Sequence, residues 1–123
     1  MIIALLVAGA GGVGAVSRFV LDGLIRSRVT SLVPAGTFVI NVSGSLLLGF
    51  VTGLVLVGAE PADFRVVLGT GFLGGYTTFS TAMIETVRLL QQRRWVAAGA
   101  NGVLMLLLGL GAAVLGIFLG TLI

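Results

Sequence analysis

Long apolar stretches alternate along the chain with three short polar interruptions, and this pattern predicts four membrane-spanning helices over residues 2–25, 35–58, 65–90 and 95–122. Each stretch reaches the roughly 20 residues that a helix needs to cross the hydrocarbon of a bilayer. Arg26, Arg28 and Pro34 close the first loop, Glu60, Pro61 and Asp63 mark the second, and Gln91 to Arg94 form the third. The first stretch opens at Ile2 with no charged segment before it and no cleavage signal after it, so a retained helix is expected rather than a signal peptide. The spans leave no room for a separate soluble unit, and residues 1–123 read as one all-α transmembrane domain.

The third stretch departs from the pattern. From Leu68 to Glu85 it reads LGTGFLGGYTTFSTAMIE, with Gly74-Gly75 followed by Thr77, Thr78, Ser80 and Thr81. The double glycine predicts a break in the helix near Gly74-Gly75. In hydrocarbon a broken helix leaves peptide groups unpaired, which is tolerated only where protein buries them or where they line a wet path and bind an ion. The functional site is therefore expected here.

In the second stretch Thr37, Asn41 and Ser45 recur every four residues and share one helix face. Ser45, Gly49 and Gly53 continue at the same spacing, as do Ala112, Gly116 and Gly120 in the fourth stretch, giving faces on which another helix can lie close. Trp95 stands where an interfacial aromatic belongs, and Asn101 is the strongly polar residue in the first half of the fourth stretch.

Composition agrees with the pattern: 58% of the 123 residues are hydrophobic and 9% charged, with a mean hydropathy of +1.23. These values belong to an integral membrane protein. The seven basic residues are all Arg and give a net charge of +3, but they stand at helix ends without a basic patch, which argues against nucleic acid. The chain has no Cys and no His, excluding disulfides, thiolate nucleophiles, imidazole bases and soft-metal sites. Ser80 has no base to activate it, so no enzyme is expected. Arg26, Arg28, Arg88, Arg93 and Arg94 gather around the first and third loops against Arg65 at the second, which places both termini outside the cytoplasm by the positive-inside rule.

Each candidate residue has two readings. Arg18 either snorkels to the headgroups or faces a water-filled vestibule that attracts anions. Asn41 either joins helices by a hydrogen bond or, with Thr37 and Ser45, supplies donors that replace the hydration shell of an anion. Thr77, Thr78, Ser80 and Thr81 either bond back to carbonyls one turn earlier or form a polar track after the break. Phe79 either packs against lipid or core or presents its electropositive ring edge to an anion. Glu85 either pairs with Arg88 three residues on or carries protons.

Taken together, the run GGYTTFSTAMIE, the Asn of GTFVINVSG and the Arg of GGVGAVSRF resemble the Fluc family of fluoride channels, also called CrcB proteins, across all four spans. The resemblance implies a passive fluoride-selective channel in the plasma membrane of a microbe, which lets cytoplasmic fluoride leave the cell and so reduces its toxicity. It implies an antiparallel dimer with two pores along the subunit interface. Asn41 would then line a pore and Arg18 its vestibule, Phe79 would turn a ring edge to fluoride, and Ser80 and Thr81 would belong to the polar track, with Thr37, Ser45 and Thr78 as further pore candidates. Backbone carbonyls of Gly74 and Thr77 from both subunits would hold a structural sodium ion at the dimer centre.

The sequence departs from that family at two places. Ala82-Met83 stands where the family carries a second Phe followed by Ser, and the fourth span lacks the Tyr often found among the pore-lining residues. Together with the arginine bias, which opposes insertion in both orientations, this raises an alternative: one subunit of a heterodimeric channel, inactive alone. A proton-coupled small transporter is a further alternative and would need a membrane-embedded carboxylate, for which Glu85 is the candidate. A non-transporting accessory subunit is a third.

Overall fold

The computed structural model describes residues 1–29 and 35–123; Pro34 of the expected first loop falls outside them. The described residues form α1 (Ile2–Arg28), α2 (Ala35–Leu56), α3 (Ala62–Arg65), a π-helical segment (Val66–Leu73), the single turn α4 (Gly74–Tyr76), α5 (Phe79–Gln91) and α6 (Trp95–Thr121). Three of these helices, α1, α2 and α6, are long and apolar enough to cross a membrane. The fourth crossing is composite and bent. It runs through α3, the π segment and α4, breaks, and resumes as α5.

Local chemistry sets the ends. Gly58 closes α2 in a left-handed conformation, φ 74°, while its N–H donates to the Val55 carbonyl and the Ala59 N–H to that of Leu54, the paired bonds of a Schellman cap. Arg93 ends α5 in the same way at φ 57°, with Arg93 bonded to the Leu90 carbonyl and Arg94 to that of Leu89. Here the left-handed position carries a side chain, where glycine would sit without strain.

The helices pack in two parallel pairs through backbone contacts. In the first, α1 lies against the π segment and α4: a Cβ on Gly14 would collide with the Phe72 carbonyl, and one on Gly75 with the Gly11 carbonyl. In the second, α2 lies against α6: Gly49 meets the Ala113 carbonyl, Gly53 that of Ile117, and Gly120 that of Phe50. The glycine faces of the second and fourth spans thus meet each other within one subunit, with Ala113 rather than Ala112 in the seam. A small core of Ile40, Leu73 and Tyr76, flanked by Leu21 and Phe72, fills the space between the pairs. The Phe72 and Tyr76 rings stack at 5.8 Å, and the Tyr76 hydroxyl lies 3.1 Å from Ser43 Oγ. Outward positions such as Val16 and Val114 are exposed and apolar, as lipid contact requires.

The break falls near the two glycines, as expected, but just past them rather than at them. Gly74 is helical at φ −62° and ψ −40°, and Gly75 lies inside α4 as the residue that admits α1. The chain becomes extended at Thr77 (φ −81°, ψ 159°) and Thr78 (φ −146°, ψ 116°), three residues further on.

Candidate functional site

In an unbroken helix the Thr78 N–H would donate to the Gly74 carbonyl, four residues back. It donates instead to Oδ1 of Asn41 at 2.9 Å, while Nδ2 of Asn41 donates to the Thr78 carbonyl at 2.9 Å. One side chain from α2 thus satisfies both backbone groups of Thr78, which lowers the cost of breaking the helix at membrane depth. Thr78 also caps the next helix: its Oγ1 accepts from the Thr81 N–H at 3.2 Å and donates to Thr81 Oγ1 at 3.0 Å. Thr77 does bond back, its Oγ1 donating to the Leu73 carbonyl at 2.8 Å. The arrangement removes the ordinary donors from the carbonyls of Gly74 and Thr77, leaving hard oxygen ligands of the kind a small cation takes.

A groove of about 480 Å³ opens beside the break, and Asn41, Ser45, Gly74, Thr77, Thr78 and Phe79 line it. Phe79 is 78% exposed and stands at the groove edge rather than in the subunit core. From the facing helix α6, Met105 also lines the groove, and its thioether accepts from Nδ2 of Asn41 at 3.3 Å.

On the other side of Thr78 lies a cleft of about 250 Å³, lined by Arg18, Asp22, Arg26, Thr37, Thr78 and Thr81. Arg26 Nε donates to Asp22 Oδ2 at 2.9 Å, and Arg26 Nη2 to Glu85 Oε1 at 3.3 Å. Thr37 Oγ1 donates to the same Glu85 oxygen at 2.9 Å. The expected Glu85–Arg88 pair is therefore replaced by a link from α5 across to α1 and α2. Arg18 takes part in no ion pair among the described residues.

The candidates from the sequence thus fall into two adjoining groups. Asn41, Ser45, Gly74, Thr77 and Phe79 share the groove; Arg18, Thr37 and Thr81 share the cleft; Thr78 borders both. Ser80 is exposed, with its hydroxyl 3.5 Å from that of Thr78. Asp22 and Met105 were not singled out by the sequence, which gave Arg26 only a place at the first loop. The four-residue spacing of Asp22 and Arg26 was an available signal; for Met105 there was none. Asn101 lies elsewhere, buried, with Nδ2 donating to Thr86 Oγ1 at 2.6 Å. Hydroxyl, amide and guanidinium donors in an otherwise apolar setting can take over the hydration of a small anion.

Comparison with known proteins places this geometry in context. Residues 5–117 match the family model described as CrcB-like protein, Camphor Resistance (CrcB). The chain is 57% identical over 119 residues to fluoride-specific ion channel FluC 1 of Leifsonia xyli, covering 97% of this chain and 87% of the relative. It is 50% identical over 116 residues to fluoride-specific ion channel FluC 2 of Cutibacterium acnes, covering 91% and 92%. It is 48% identical over 106 residues to fluoride-specific ion channel FluC 2 of Mycobacterium bovis, covering 86% and 81%. With a helix broken at two hydroxyl residues, clamped by a half-buried asparagine and matched along nearly its whole length, the chain belongs to the CrcB family.

Proposed function

We propose that this chain is the subunit of a fluoride-selective channel that passes cytoplasmic fluoride out of the cell passively, across the plasma membrane. The observation that carries the reading is the junction at Thr78, where the Asn41 clamp, the groove with Phe79 and the hydroxyl-lined cleft with Arg18 meet. Hydroxyl and amide donors offer fluoride a substitute for water, and Arg18 raises the local concentration of anions. Asn41, Phe79, Ser80 and Thr81 act as pore residues in this reading, with Thr37, Ser45 and Thr78 beside them.

The groove is open on the subunit's side, and a second subunit in antiparallel orientation completes it. A sodium ion at the dimer centre would be held by the carbonyls of Gly74 and Thr77, which the break has freed from their ladder donors. Such an ion supplies a fixed positive charge that offsets the transfer of an anion into a low-dielectric interior.

A second reading is favoured by the arginines. Arg26, Arg28, Arg88, Arg93 and Arg94 lie at one end of the bundle and Arg65 at the other, which opposes insertion in both orientations and suits a pair of homologous subunits with fixed topologies. Proton-coupled transport is less well supported, because Glu85 is already engaged by Thr37 and Arg26.

Fluoride efflux from liposomes, with chloride as the comparison and Asn41→Asp and Phe79→Ile as controls, tests the proposal. Selective flux that the controls lose supports a channel built from this chain alone. Flux that appears only on co-expression with a homologous subunit supports the paired form, and silence in both removes the channel reading.

A further inference from the structure

Three charged groups line the cleft, Arg18, Asp22 and Arg26, with Glu85 joined to it through Thr37 and Arg26, and they are not equivalent. Arg26 bonds both carboxylates, Asp22 of α1 and Glu85 of α5, whereas Arg18 bonds neither. Each carboxylate is held through one oxygen: Asp22 Oδ1 and Glu85 Oε2 are buried with no hydrogen-bond partner among the described residues. Gly36 of α2 leaves the room that Asp22 Oδ1 occupies, since a Cβ there would collide with it.

We propose that Arg26 is a positioning residue of the anion path: by bridging Asp22 and Glu85, whose Oε1 already takes the Thr37 hydroxyl, it keeps both carboxylates off the hydroxyls of Thr78 and Thr81 and leaves Arg18 as the cation that an incoming anion meets. The proposal rests on the fluoride-channel reading. Glu85 stands one helical turn beyond Thr81 on the same face of α5, and Thr78 and Thr81 both line the cleft. An ionised carboxylate only accepts hydrogen bonds. Released from Arg26, that of Glu85 takes the hydroxyl protons an anion would use, and its charge repels the anion at short range. The bridge uses two different nitrogens, Nε and Nη2, one for each carboxylate. A guanidinium can do this by its planar fork, and an ammonium cannot do it in the same geometry.

Initial fluoride efflux from liposomes is compared for the unmutated chain, Arg26→Gln and the double variant Arg26→Gln with Glu85→Gln, in whichever assembly conducts. Arg26→Gln is expected to slow efflux by about tenfold or more, the scale of an orphaned buried charge. Removing the orphaned charge with Glu85→Gln is expected to restore the rate to within roughly threefold, a coupling that independent structural damage would not give. An unchanged rate in Arg26→Gln, or a double variant as slow as the single one, overturns the proposal. If Arg26→Gln does not fold, Arg26→Lys replaces it, with slowing and recovery by Glu85→Gln again required. Silence of the unmutated chain, alone and with a homologous subunit, overturns the channel reading itself.

Discussion

The side-chain amide of Asn41 pairs with the peptide unit of Thr78 much as a neighbouring strand would, giving one hydrogen bond in each direction at 2.9 Å. Asn41→Leu leaves the Thr78 N–H and C=O without partners and is expected to cost about 1–3 kcal/mol, with loss of fluoride flux. Asn41→Asp keeps the acceptor, removes the donor and sets a carboxylate against the Thr78 carbonyl, so it also loses flux. Unfolding of the reconstituted protein by a denaturing detergent, run beside the flux assay, checks both; a Leu variant as stable as the unmutated chain contradicts the clamp.

The cap on α5 separates two threonines that look alike in sequence. Thr78→Val keeps the shape but loses the bond to the Thr81 N–H, and an expected cost of about 1 kcal/mol follows from the loss of an N-cap. Thr78→Ser retains the cap and is expected to remain near the unmutated stability. Equal melting of the two variants would count against the capping role.

Glycines in the seams differ from glycines facing out. Gly14→Ala places a methyl against the Phe72 carbonyl, and overpacking of this kind typically costs about 1–3 kcal/mol. Gly12 has nothing near the position of its missing Cβ, so Gly12→Ala is expected to be neutral or stabilising by about 0.4–1 kcal/mol. Thermal melting in detergent orders them, and a Gly14 variant no weaker than the Gly12 variant would refute the backbone contact.

Arg93 occupies a left-handed position that suits glycine, at φ 57°. Arg93→Gly relieves a strain of about 1–2 kcal/mol, partly offset by the entropy of the unfolded chain. A small rise in melting temperature is expected, and a fall would show that the Arg93 side chain holds the loop by other means.

The sequence made the membrane class and the broken third crossing legible, because apolar length and glycine-hydroxyl clustering are local signals. The site of the break was not local. Gly74 and Gly75 read as breakers, yet Gly75 serves close approach to Gly11, and the break is fixed by Asn41, 37 positions away. The polar stripe on α2 was likewise visible as a face, but not its division of labour: Asn41 turns to Thr78 and Thr37 to Glu85. Glu85 has Arg88 within one turn along the chain, and only the fold, which brings the end of α1 within side-chain reach of α5, puts Arg26 there instead. Asp22 passed unnoticed inside an apolar run because its partner is a buried contact with Gly36 as much as the visible Arg26.

Because the donor and acceptor that stabilise the break arrive on α2, the break cannot precede the meeting of those two segments. Entering the bilayer by itself, the third crossing has the Gly74 carbonyl as the default partner of the Thr78 N–H and inserts as a continuous helix. The broken form of the third crossing is then a product of its packing against α2 rather than of its own sequence.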